Sequence, residues 1–267
     1  MKQPPEILGK IAAQTAIRVA KAKETLSPEQ AQEMALILAG RDSQSAMRPF
    51  EKAIAAPGLS FICEVKKASP SKGIIAENFP WLEIAKDYEE GGAAAISVLT
   101  EPDFFLGSDQ YLREIAAAVQ IPVLRKDFII DPYQIYEAKI WGAKAVLLIC
   151  ALLDAEMLSS FIAIADELSL DCLVEIHSET EAEEAIGAGS RIIGINNRDL
   201  VTFNVDTDLA SRLKRNIPSG ILTVAESGIT KADDIRKLKD TGMDAVLVGE
   251  SLMRASNKKK FLLELMV

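Results

Sequence analysis

Eight short apolar runs constrain this chain more than any other feature. They are Phe61–Val65, Ala95–Leu99, Val123–Lys126, Ala145–Ile149, Cys172–Glu175, Ile192–Asn196, Leu222–Ala225 and Ala245–Val248. They are continuous in apolar character, as expected of parallel strands buried on both faces. Their starts lie between 20 and 34 residues apart, the length of one strand, one crossover helix and two loops. Helical steps fill the gaps: Leu112, Ile115 and Val119; Tyr133, Tyr136 and Ile140; Met157, Phe161, Ile164 and Leu168. Asp131 before Pro132 reads as a helix start. Gly142, Gly187, Gly189 and Gly242 read as helix stops. An open doubly wound sheet would share this rhythm, but no G-x-G-x-x-G follows the first run. Eight units in roughly 210 residues predict a closed α/β barrel, the (β/α)8 TIM barrel.

Residues 1–58 precede the first run. Leu8, Ala12, Thr15 and Val19 step as one helix, and Ser27-Pro28-Glu29-Gln30 is a capping-box start for a second. The prediction is a single barrel domain over 1–267, with a two-helix extension in 1–58, the barrel in 59–267 and a closing helix from near Lys258.

Composition removes several function classes. Net charge is −9, which disfavours nucleic acid. The longest apolar run, Ala145–Leu153, has nine residues, against the ~20 of a membrane-spanning helix. No long apolar segment follows Met1, so the expected location is cytoplasmic. Cys63, Cys150 and Cys172 are widely spaced and read as reduced core thiols. With one histidine, His177, and no C-x-x-C pair, no metal centre is predicted. Acid–base chemistry would fall to Lys, Glu, Asp, Tyr or Cys.

The informative residues are polar groups at the C-terminal ends of the runs, where barrel enzymes place their sites. Glu64 and Lys66 are two apart and share a face, turned into the barrel mouth if Cys63 and Val65 pack outward. Lys126, Glu175, Asn196 (with Arg198 two residues on), Glu226-Ser227-Gly228 and Gly249-Glu250-Ser251 end five further runs. Several charges in one mouth are costly unless paired or bound to a ligand, a cost tolerated for function. Gly228 and Gly249 follow the last two runs, a place where barrels build phosphate sites from backbone N–H groups. The loop Lys67-Ala68-Ser69-Pro70-Ser71-Lys72-Gly73 reads either as an anion-binding lid or as a solvated turn. His177 reads as a solvated loop residue, Lys258-Lys259-Lys260 as a solvated helix start, and Trp81 and Trp141 as packing.

The stretch Glu64-Val-Lys-Lys-Ala-Ser-Pro-Ser-Lys-Gly73 resembles the signature of the indole-3-glycerol-phosphate synthases. The resemblance continues through Leu99–Ser108, Leu124–Ile129, Leu173–His177, Gly194–Leu200, Ala225–Ile229 and Val248–Met253, and it covers nearly the whole chain. It implies a (β/α)8 barrel of tryptophan biosynthesis without a cofactor. The implied reaction turns 1-(2-carboxyphenylamino)-1-deoxyribulose 5-phosphate into indole-3-glycerol phosphate, carbon dioxide and water. By matching motif, Lys126 resembles the general acid at the ketone oxygen, and Glu175 the acid/base of the dehydration. Lys66 resembles a lysine that contacts substrate anions and acts as a second acid. Glu64 and Asn196 would orient these groups, and Ser227 would support them. Ser69 and Arg198 resemble anion contacts, and backbone groups at Gly228, Gly249 and Glu250 would hold phosphate. The resemblance implies a phosphorylated small-molecule substrate; no nucleic acid or membrane partner and a monomer are expected, and association with other tryptophan-pathway enzymes stays open.

Three rival readings stand beside it. Phosphoribosylanthranilate isomerase is one, but Cys63 has the wrong strand parity for its chemistry. A Schiff-base aldolase using Lys126 is another. A non-catalytic sugar-phosphate-binding barrel is the third, disfavoured by the presence of both Lys126 and Glu175.

Overall fold

The computed structural model describes residues 6–42, 48–199 and 201–266. Residues 1–5, which carry the amino-terminal reading of location, lie outside the described residues, as does Leu200. Eight parallel strands close into a barrel in chain order: β1 (Ser60–Val65), β2 (Ala95–Leu99), β3 (Val123–Lys126), β4 (Ala145–Ile149), β5 (Asp171–Ile176), β6 (Ile192–Asn196), β7 (Leu222–Glu226) and β8 (Ala245–Val248), with β8 pairing back onto β1. Nearly every strand residue is buried, because lumen and helix layer each cover one face. All eight sequence runs are barrel strands, displaced by at most one residue at either end.

The extension begins with α1 (Glu6–Thr25) and α2 (Pro28–Ala39). Ser27 caps α2, accepting from the Gln30 amide while the Gln30 side chain accepts from the Ser27 N–H. A third, six-residue helix, α3 (Pro49–Ile54), was not read from the sequence. It sits against the amino-terminal ends of the strands: the Glu51 N–H donates to Asp171 at the start of β5 (2.9 Å), and the Ser60 hydroxyl of β1 donates to the Ala53 carbonyl (3.3 Å). Phe50 and Ile54 are fully buried there, so α3 floors the barrel.

Helix α1 reaches the opposite, carboxyl-terminal end. Arg18 donates to Asp127 just past β3 (2.8 Å) and faces Glu101 past β2 (3.8 Å). Asp127 also accepts from Arg125 (3.0 Å) and Thr100 (2.7 Å). This buried cluster ties α1 to the ends of β2 and β3. Lower down, Lys23 pairs with Asp131 (2.6 Å) and the Tyr133 hydroxyl donates to the Leu26 carbonyl (3.0 Å).

Local readings mostly hold. Asp131 caps the helix Pro132–Ile140. Gly142, Gly189 and Gly242 adopt φ of +91°, +87° and +74° just past helix ends, where a side chain would be strained; Gly187 instead ends a helix as its last residue. Trp141 packs on the buried Arg125 guanidinium (4.1 Å), and Trp81 lies against Tyr111 (4.5 Å). Lys258 departs from its reading: its half-buried ammonium donates to the Met253 and Ala255 carbonyls (3.1 Å each) and closes the short helix Glu250–Arg254. Cys63, Cys150 and Cys172 are buried thiols, in no disulfide.

Candidate active site

The carboxyl ends of the strands surround a cavity of about 780 Å³. Glu64, Lys66, Ser69, Lys126, Glu175, Asn196, Arg198, Ser227, Gly228, Gly249 and Glu250 all line it. Strand parity accounts for the first pair: Glu64 and Lys66 hydrogen-bond to each other in the mouth. Cys63 turns outward, and burial pushes its thiol well up.

Lys126 is the centre of the charged floor. Its ammonium lies 3.0 Å from Glu175 Oε2 and 3.3 Å from Glu226 Oε2, with side-chain exposures of 13%, 3% and 2% respectively. Burial disfavours that charge, but Glu175, Glu226 and Glu64 outweigh it and hold the lysine above its ordinary range. Glu175 is pulled below the usual carboxylate range: burial opposes ionisation, yet Lys126, His177 and the Asn196 amide overcome it. Glu226 goes the other way. Burial and the neighbouring Glu175 and Glu64 charges push it up to about 7 against the attraction of Lys126. Two carboxylates on one ammonium are thus driven apart in acidity, the arrangement that separates a proton donor from an ionised partner.

Glycines make the room. Gly194 pairs in register with Glu175, and a Cβ there would overlap the Glu226 carboxylate. A Cβ on Gly249 would overlap the Glu64 carboxylate and come within 3.1 Å of the Lys66 ammonium. Ser227 adopts φ +65°, a left-handed conformation that costs a non-glycine residue about 1 kcal/mol, and its carbonyl accepts from the Asn197 amide (3.1 Å).

The cavity has two sides. Near β2 and β3 the wall is apolar: Leu8 and Ile11 from α1, and Phe105 and Phe128, whose rings lie 5.7 Å apart. Near β6 to β8 it is polar, with Arg198, Gly228, Gly249 and Glu250. The Glu250 carboxylate faces Arg254 (3.1 Å), Lys72 (3.8 Å) and Arg198 (3.9 Å). The loop after β1 forms a two-stranded hairpin, Ala68–Ser69 with Gly73–Ile74, and carries Lys72 to the rim.

Two residues were underweighted in the sequence. Glu226 was noted only as a strand end. His177 was read as solvated; its side chain is 16% exposed and wedged between Glu175 (3.6 Å) and Glu181 (3.4 Å). The local signal was Ser178-Glu179-Thr180-Glu181, a helix start in which Ser178 caps the Glu181 amide and the Glu181 carboxylate accepts from the His177 backbone N–H.

Fold and site together define a (β/α)8 barrel with a charged, partly apolar cavity at the carboxyl ends of its strands, the arrangement of a barrel enzyme. Similarity narrows this. The family description "Indole-3-glycerol phosphate synthase" matches residues 8–265. A protein of that description from Ruminiclostridium cellulolyticum is 57% identical over 251 residues, 94% of this chain and 95% of its own. One from Endomicrobium trichonymphae is 52% identical over 97% of this chain and 99% of its own. The chain belongs to the indole-3-glycerol phosphate synthase family: it is a carboxy-lyase of tryptophan biosynthesis and binds a phosphorylated small-molecule substrate. Among solved structures, a thiamine phosphate pyrophosphorylase from Pyrococcus furiosus superposes with TM-score 0.60 at 20% identity, covering 78% of this chain and 93% of its own; this likeness concerns the fold alone.

Proposed function

We propose that Lys126 is the general acid of ring closure and Glu175 the acid/base group of the dehydration. The aniline nitrogen pushes electrons into its ring, and the ring carbon bearing the carboxylate attacks the ketone. Lys126 donates a proton to the ketone oxygen as that bond forms. Loss of carbon dioxide restores the aromatic ring, and water then leaves with a proton delivered and another removed by Glu175. Lys66 meets the substrate carboxylate and serves as a second acid, held by Glu64. Asn196 orients Glu175, and Ser227 supports it. The aryl ring lies on the Leu8, Ile11, Phe105 and Phe128 wall. The phosphate lies on the backbone of Gly228, Gly249 and Glu250, with Ser69 and Arg198 as further anion contacts.

The observation that carries this reading is the Glu175–Lys126–Glu226 cluster at the bottom of the mouth. A lysine held charged is a proton donor and a poor Schiff-base nucleophile, which weighs against the aldolase. The exposed chemistry calls for no nucleic acid, membrane or cofactor. Among the described residues no helix is long and apolar enough to cross a membrane. The chain works as one barrel domain over 1–267, with the 1–58 extension supplying a wall of its site, as a cytoplasmic monomer.

Glu175→Gln tests the order of steps. Labelled carbon dioxide should be released from the carboxyl-labelled substrate while indole fluorescence fails to rise. Equal loss of both signals would remove Glu175 from the dehydration step.

A further inference from the structure

The single histidine of the chain does not line the cavity, yet it touches the group on which dehydration depends. Glu181 occupies the third position of the helix Glu179–Gly187, whose amide is capped by the Ser178 hydroxyl (3.2 Å). That places the Glu181 carboxylate to accept from the His177 N–H at 2.6 Å. Glu181 Oε2 then lies 3.4 Å from His177 Nδ1, and Nε2 on the other side of the ring lies 3.6 Å from Glu175 Oε1. Glu175 uses its other oxygen, Oε2, on Lys126. The sequence of contacts is carboxylate, imidazole, carboxylate, ammonium, carboxylate: Glu181, His177, Glu175, Lys126, Glu226.

We propose that His177 is a positioning residue: its imidazolium, seated by Glu181, pins the Oε1 edge of Glu175 and sets the pH range over which that carboxylate works. The inference rests on the reading of Glu175 as the acid/base group. Neither ring nitrogen makes a well-aligned hydrogen bond among the described residues, so the hold is by charge. A neutral imidazole would lose it. The charges facing the ring come from every side: Glu175 on its own strand, Glu181 on the following helix, Glu226 on β7 and Asp199 on the loop after β6, with Lys126 beyond Glu175. Burial opposes protonation, but Glu181, Glu175 and Glu226 hold the imidazole above its ordinary value. The carboxylates outnumber the competing cation, which favours the charged ring.

The test uses the full chain and the imidazole resonances of its one histidine. His177 should titrate above the ordinary ~6.5, and Glu181→Gln should lower that midpoint. The wild-type kcat should fall on the alkaline side at the His177 midpoint. His177→Gln should lack that fall, and run roughly tenfold slower below it, with KM within about twofold. A midpoint at or below the ordinary value, no response to Glu181→Gln, or a His177→Gln profile that parallels wild type at every pH would each overturn the proposal. Glu175→Gln separates the two readings. If it retains wild-type turnover, the assignment of Glu175 fails; if it is inactive while the His177 profiles coincide, only the positioning role fails.

Discussion

Replacing Glu226 by glutamine should raise stability relative to wild type progressively as pH rises. The folded site holds Glu226 up to about 7 against an ordinary 4.5. A raised folded-state value means that the stability linked to this group is fully present below about pH 4.5 and lost as pH rises through about 7. At 1.36 kcal/mol per pH unit, ionising Glu226 costs the folded state about 3 kcal/mol by pH 8 and under about 1 kcal/mol at pH 5. Glutamine never ionises. Its stability relative to wild type should therefore rise by about 2 to 3 kcal/mol between pH 5 and pH 8. Glu226 Oε1 is buried without a hydrogen-bond partner among the described residues, so the amide placed there adds an offset that is the same at every pH. Urea unfolding at four pH values between 5 and 8 measures the difference. A difference that stays constant within about 0.5 kcal/mol would show that Glu226 is already ionised in the folded protein near its ordinary pH, and would refute the reasoning.

Two further perturbations address the walls of the site. Arg18→Met removes the 2.8 Å bond that ties α1 to Asp127; stability should fall by about 1.5 to 3 kcal/mol, the range for a charged hydrogen bond. Because Leu8 and Ile11 then loosen, KM should rise several-fold more than kcat falls, which steady-state kinetics would show. Gly249→Ala puts a methyl group where the Glu64 carboxylate lies; displacing Glu64 and Lys66 by ~1 Å should lower kcat/KM by roughly 10², with the fold intact by circular dichroism.

The barrel was legible because each strand is a continuous apolar run bounded by loop residues, and a strand buried on both faces leaves that signature wherever it occurs. Strand parity carried the reading further. Alternation alone put Glu64 and Lys66 in the mouth and Cys63 outside it. What escaped the sequence depended on distance along the chain. Arg18 and Asp127 stand 109 residues apart, and nothing local in either marks the other. Glu226 has the same local appearance as any charged strand end. Its raised pKa follows from burial and from Glu175 and Glu64 arriving from other strands. Helix α3 has six residues, too few to show a helical period. His177 was misread for a different reason, since the capping pattern that buries it was visible, but its consequence for the preceding residue was not drawn.

The central claim is that a charged Lys126 donates the proton that starts ring closure. Lys126→Met should be mixed in single-turnover amounts with 1-(2-carboxyphenylamino)-1-deoxyribulose 5-phosphate, with chelator present, and indole fluorescence followed beside wild type. The account predicts a full rise for wild type and none for the variant, with product still bound within about an order of magnitude of the wild-type affinity. A rise in the variant at the wild-type rate would contradict it.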